Sequence, residues 1–210
     1  EEASSPRSSH VASPTPGTFG DAAEPVIAKL IVGITPLPPV EVMLASPPPI
    51  APPVRSPCDA FAIRYDAASL DDACRAESAK RVAPLGPLLE ATHAQHAGQP
   101  PSLRTTDPAV TLPRTRAVFM ALRDLDIEAR IALASGRGAE VLAGCPDRLA
   151  LVRDLTWGAL LLSDVTGQTS LGQVLATCAL AVDGAAPDAR RKLAGAMERV
   201  GKGMPPFLVL

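Results

Sequence analysis

The chain contains no asparagine. It therefore carries no N-glycosylation acceptor, and its turns and helix caps must be built from Asp, Ser, Thr, Gly and Pro. Aromatic residues are scarce, at 3% of the 210 residues, whereas apolar residues reach 47%, mostly Ala, Leu and Val. Such a core closes by helix packing with small side chains, not around large rings. Neither sign of charge dominates, the formal net charge being −2. No basic face is implied, and duplex nucleic acid is not an expected partner. No apolar run approaches the roughly 20 residues that a bilayer core requires, so no transmembrane segment is expected. Lysine is also scarce, 4 against 16 arginines. Together with the missing asparagine, this reads as the coding bias of a GC-rich source. The sequence starts at Glu1 without a charged-then-apolar leader, which reads as a processed product or a fragment.

Proline is abundant, and 13 of the 23 lie within residues 1–57, including Pro36-Leu37-Pro38-Pro39 and Pro47-Pro48-Pro49-Ile50-Ala51-Pro52-Pro53. Proline fixes φ and lacks an N–H, so this quarter of the chain reads as an extended arm rather than a helix or a central strand. Two β-favouring pieces are embedded in it. Val26–Ile34 is bounded by Pro25 and Pro36, and Val40–Leu44 is shorter. Flanked by prolines, they read as edge strands, added to a sheet or to a partner's sheet. Their apolar residues Val26, Ile27, Leu30, Ile31, Val32, Ile34, Val40, Val42 and Leu44 become candidate partner contacts. Phe61–Tyr65 is a third strand candidate.

From Ser69 the pattern turns helical, with Ser69 as N-cap and Asp71 and Asp72 in the first turn of a helix to about Val82. Leu85–Ala97 reads as a second helix. Pro113 suits a helix start behind Thr111, followed by Val118, Leu122, Leu125, Ala129 and Leu133 on one stripe, with Gly136 and Gly138 as stops. Pro146 is expected to open a fourth helix carrying Leu149, Val152 and Leu155. Thr169 or Ser170 is expected to cap a fifth, with Leu171, Val174, Leu175, Cys178 and Val182 inward. Pro187 begins the last, with Leu193, Met197 and Val200 inward. The expected fold is mostly α, formally α+β with a minor short-stranded β component. A Pro-rich arm over 1–57 precedes a helical domain over 58–210, and Phe207–Leu210 forms a terminal strand or an apolar plug.

Four cysteines, Cys58, Cys74, Cys145 and Cys178, permit two disulfides in three pairings. A Cys58–Cys74 bridge would contribute about 3 kcal/mol in the chain-entropy model. The alternative is four reduced, buried thiols. Pairing would favour an extracytoplasmic or secreted setting; without it the compartment stays open.

His93 and His96 fall at i and i+3, and with Cys58 and Cys74 they raise a zinc site. The wide cysteine spacing departs from the close pairs such sites use, and solvated histidines at a helix end are the plainer reading. Asp124, Asp126 and Glu128 resemble a carboxylate cluster, but the interleaved Arg123 and Arg130 suggest a charged, solvated helix face. Ser135-Gly136-Arg137-Gly138 lacks the context of a phosphate loop. Gly167 to Gly172 lacks the Lys and Ser/Thr of a P-loop, so both read as helix stops and starts. Pro49-Ile50-Ala51-Pro52 is a loose PxxP, equally readable as a docking element or a spacer. Trp157, the only tryptophan, is a core anchor or an interface hot spot.

No metal, cofactor or catalytic residue set emerges, and the balance leans away from an enzyme. The expected function is a non-catalytic, protein-binding subunit or accessory component of a hetero-complex, docking through the arm and a helical face. Two alternatives are an enzyme or small-ligand binder using Asp124, Glu128, His93 or His96 in a pocket between helices, and a disulfide-stapled secreted or periplasmic domain.

Overall fold

In the computed structural model, residues 15–33, 56–65, 67–96, 98, 100–103, 105, 107–156 and 161–202 are described. Two short strands and eight α-helices span them. The fold is mostly α with a two-stranded parallel sheet, β1 (Thr15–Thr18) beside β2 (Ala94–His96). Thr15 faces Ala94 and Thr18 faces His96, with an irregularity between them. Gly17 sits at that irregularity with φ +107, a conformation only glycine adopts cheaply.

Helix α1 (Phe19–Leu30) corrects the strand expected over Val26–Ile34 as far as Gly33; a 3₁₀ turn covers Ile31–Gly33, and Ile34 lies outside the described residues. The start signal is local. The Thr18 hydroxyl oxygen accepts the Asp21 N–H at 3.1 Å, and Asp21 complements the dipole in the first turn. The rest is tertiary. Phe19, Ala23 and Ile27 recur every four residues and are fully buried, so their burial outweighs the bond lost at Pro25, which lies inside the helix. This stretch belongs to the folded body rather than to an extended arm. The prolines from Pro36 to Pro53, the strand expected at Val40–Leu44 and the terminal Phe207–Leu210 lie outside the described residues.

Phe61–Ile63 form part of α2 (Asp59–Arg64), not a strand, and Tyr65 closes that helix in the left-handed region. α3 (Asp72–Val82) is capped by Asp71, whose carboxylate accepts the Cys74 N–H at 2.7 Å; Ser69 instead ends a 3₁₀ turn. α4 (Gly86–Ala91) is shorter than expected. The Thr92 hydroxyl donates to the Leu89 carbonyl at 2.6 Å, and the chain then enters β2 to pair with β1.

α5 (Pro108–Ala134) starts at Pro108 behind an Asp107 cap, and α6 (Gly138–Thr156) starts eight residues ahead of Pro146. Pro113 and Pro146, expected as helix starts, are both internal. α7 (Leu161–Val182) begins well before Thr169 and carries Gly167 and Gly172 in its interior, so these glycines are neither stops nor starts. α8 (Pro187–Lys202) begins as expected, with Leu193 and Val200 buried and Met197 packed against the core, but passes Gly201 by one residue.

α6 packs along α7 and α8, and α5 packs on α3 and α7. The main core joins α1 (Phe19, Ile27), α5 (Leu122, Leu125), α6 (Val141, Leu149) and α7 (Val174). A smaller cluster gathers Phe61, Ile127 and Ile131 around Cys58 and Cys74. Both cysteine pairs are bonded. Cys58–Cys74 ties the start of α2 to α3, and Cys145–Cys178 ties α6 to α7. No helix among the described residues is long and apolar enough to cross a membrane.

Candidate functional site

The carboxylate row of α5 is not the solvated face its spacing suggests. Asp126 is buried and accepts from Thr177 Oγ1 at 2.5 Å, from the Tyr65 hydroxyl at 3.1 Å and from Arg130 Nε at 3.1 Å. The Arg130 guanidinium also lies 3.7 Å from the centre of the Tyr65 ring. Burial, then the adjacent Asp126 charge, pushes the Tyr65 phenol above its ordinary range, while Arg130 pulls the other way. Glu128 accepts from the Ser78 hydroxyl at 2.8 Å and pairs with Arg137 at 3.6 Å. Asp124 pairs with Arg81 at 3.6 Å; burial holds its carboxyl above the usual range, opposed by Arg81 and Arg123. Arg148 on α6 faces the same acidic neighbourhood. Desolvation lowers its guanidinium, and Asp126, Glu128 and Asp147 counter that shift.

These carboxylates therefore act as internal anchors. Asp126 alone bonds residues of α5 and α7 and the residue closing α2. Removing it would leave Arg130 and Thr177 enclosed without their shared acceptor, a costly outcome in a low-dielectric interior.

The two histidines part company. His93 lies in the turn after α4, where its Nε2 meets Asp147 Oδ1 at 3.0 Å, and His96 ends β2. They share no helical face. All four cysteine sulfurs are committed to disulfides, so the zinc set considered from the sequence has no thiolates to offer. Among the described residues no cluster of three or more His, Cys, Asp or Glu is placed to hold a metal. Ser135–Gly138 forms the tight turn between α5 and α6, closed by Gly136 at φ +76.

Of the candidate partner contacts, Ile27 is fully buried, and Val26 and Leu30 pack against the core. Ile31 is half-buried and Val32 is 86% exposed. Ile34, Val40, Val42, Leu44 and Trp157 lie outside the described residues.

Two cavities are lined by described residues. One of about 320 Å³ lies between α1, α3 and α5 and includes Asp124, Arg81, Arg116 and Met120. The larger, about 810 Å³, is a groove walled by α6 and α8 and closed at one end by the tip of α7. Ala139, Leu142 and Ala143 form one wall and Ala189 and Leu193 the other; among the described residues Lys192 is the only charged one on it. The groove exists because both walls present methyl groups where longer side chains would interdigitate. Its rim continues onto Leu180, 54% exposed, and Leu175 on the same helix is 40% exposed. The sequence pattern placed Leu175 inward; it points out.

No protein family model, curated protein or solved structure matches this chain. The functional reading therefore rests on its own geometry. The groove was not visible in the sequence, although the alanines at 139, 143, 186 and 189 were its available signal.

Proposed function

We propose that this chain is a non-catalytic, protein-binding component of a larger complex, and that it docks its partner in the groove between α6 and α8. The observation that carries this reading is a concave apolar groove of about 810 Å³ whose described lining residues include one cation, Lys192. Alanine walls let another backbone approach closely, which suits an amphipathic partner helix that lays its apolar stripe in the groove and sets a carboxylate near Lys192. Of the polar groups considered for catalysis, Asp124, Glu128 and His93 are engaged by their own neighbours, whereas His96 Nδ1 is enclosed without a hydrogen-bond partner among the described residues. The two disulfides favour an extracytoplasmic setting.

A photo-crosslinking residue at Ala189, expressed in the source cells, should give one discrete protein adduct. Ala143→Phe, which fills the groove, should remove that adduct without lowering the thermal midpoint. An adduct pattern identical to that from a probe at Lys80, on α3, would defeat the reading.

The second reading is a small apolar ligand, favoured by a volume inside the range of small-molecule sites, about 300–1,000 Å³. Native mass spectrometry separates the two. A mass increment that vanishes on denaturation, without a protein adduct, supports the ligand.

A further inference from the structure

The helix that forms one wall of the groove is also the last described element. α8 ends at Lys202, and Gly203, Met204, Pro205 and Pro206 follow before the run Phe207–Leu210. Pro205 and Pro206 are the stop signal for α8, since neither has an N–H to continue it. Residues 203–210 lie outside the described residues, and they contain no charged, amide or hydroxyl side chain. Four large apolar residues in a row are a composition that gains from cover.

We infer that Phe207–Leu210 docks in the groove between α6 and α8 of its own molecule and competes there with the partner. This rests on the reading of the groove as a docking site and adds its regulation. The distances allow it. Ala196, the lining residue nearest the end of α8, stands about 9 Å back from Lys202 at 1.5 Å per residue, and Ala189 about 20 Å. An extended chain advances about 3.3 Å per residue, so Leu210 reaches as far as about 26 Å from Lys202. Returning antiparallel beside α8, the run covers the stretch from Ala196 to Ala189 and leaves about two residues for the reversal.

The lining fits this occupant. Apart from Lys192, the described lining is alanine, leucine, glycine and proline, a wall of small apolar groups into which larger side chains interdigitate. A segment tethered to one wall also has an effective concentration that a free apolar peptide does not match. The other apolar piece outside the described residues, Val40–Leu44, sets out from α1, which packs on α4 and α5, whereas 203–210 sets out from a groove wall itself. Charge sets the order of preference. Residues 203–210 bring no side-chain carboxylate to Lys192, whereas the partner helix proposed above does, so that partner displaces the segment. Any other ligand finds its apparent affinity reduced by the fraction of molecules whose groove is open. The segment thus keeps an apolar surface covered until a matching partner arrives.

The test uses the full-length, oxidised protein, with anilinonaphthalene sulfonate, apolar rings bearing one anionic group, as the groove probe. The double variant Phe207→Asp/Leu208→Asp makes the run polar. It should bind the probe about tenfold more tightly than the wild type, the gain expected when roughly nine molecules in ten are closed. Ala143→Phe, which fills the groove, should cut probe binding in both backgrounds. A photo-crosslinking residue at Ala189 in the purified, otherwise wild-type protein should give an adduct within 203–210 of the same molecule. Its yield should not depend on protein concentration, and the mass should stay that of the 21.7 kDa monomer. A double variant that binds the probe no more tightly than wild type, or an adduct that links two molecules, overturns the inference. Either result leaves the partner adduct in source cells, and with it the docking reading, standing. Probe binding that Ala143→Phe does not reduce would instead count against the groove reading, and would take the inference with it.

Discussion

Removal of the Cys145–Cys178 bridge by a double alanine substitution is the most quantitative perturbation the structure offers. The bridge spans a sequence separation of 33 residues, against 16 for Cys58–Cys74. The chain-entropy relation then gives about 3.7 kcal/mol for the longer loop and about 3.1 kcal/mol for the shorter. Cys145 and Cys178 are also buried, at 0% and 3% exposure, and each sulfur removed leaves a void worth about 1 kcal/mol, as for a deleted methyl group. The double variant should therefore lose roughly 4–6 kcal/mol, a large share of the roughly 5–15 kcal/mol typical of a domain. With a urea slope near 2 kcal/mol/M, the midpoint falls by about 2–3 M. Urea unfolding followed by far-UV circular dichroism reads this directly, and the Cys58/Cys74 double variant should shift less. Alkylation of the unfolded protein without reductant should modify none of the four cysteines. Four modified thiols, or a Cys145/Cys178 variant within about 1 kcal/mol of wild type, would refute the reasoning.

Two further outcomes are expected. Asp126→Ala strands Arg130 and Thr177 and should cost about 3–5 kcal/mol, with Asp126 and Thr177 non-additive in a double-mutant cycle by urea unfolding; a loss under about 1 kcal/mol would mean the network is dispensable. Pro25→Ala restores a donor inside α1 and should raise stability by about 1–3 kcal/mol in thermal unfolding, whereas Ile27→Ala should lower it by about 2–4 kcal/mol. A destabilising Pro25→Ala would speak against the helix.

The sequence disclosed helices where a polar face opposed an apolar one and punctuation agreed with packing. α8 shows this, with Pro187 at its start and Leu193 and Val200 inward. The inward stripe of α5 was equally plain from Val118, Leu122, Leu125 and Ala129. Boundaries failed where proline was taken as decisive. Pro25, Pro113 and Pro146 all sit inside helices, since a cost of about 3 kcal/mol is matched by burying one or two large apolar side chains. β-branched residues misled for the same reason, because Ile27 gains more from the core than its propensity costs. On α7 the inward stripe of Val174 and Cys178, with Leu171 and Val182 packed beside it, was legible, and Leu175 was misplaced because it borders that stripe on a helix with few charges to mark its outer side. Asp126 looked solvated because its partners Tyr65 and Thr177 lie 61 and 51 residues away, beyond any local pattern.

The covalent tie between α6 and α7 also changes what a severed backbone means. A protease that cuts anywhere between Cys145 and Cys178 produces two fragments that remain one molecule, still carrying both groove walls. On a gel run without reductant such a nicked chain travels as if whole. An intact band there is no proof of an unbroken polypeptide, and only thiol treatment reveals the scission.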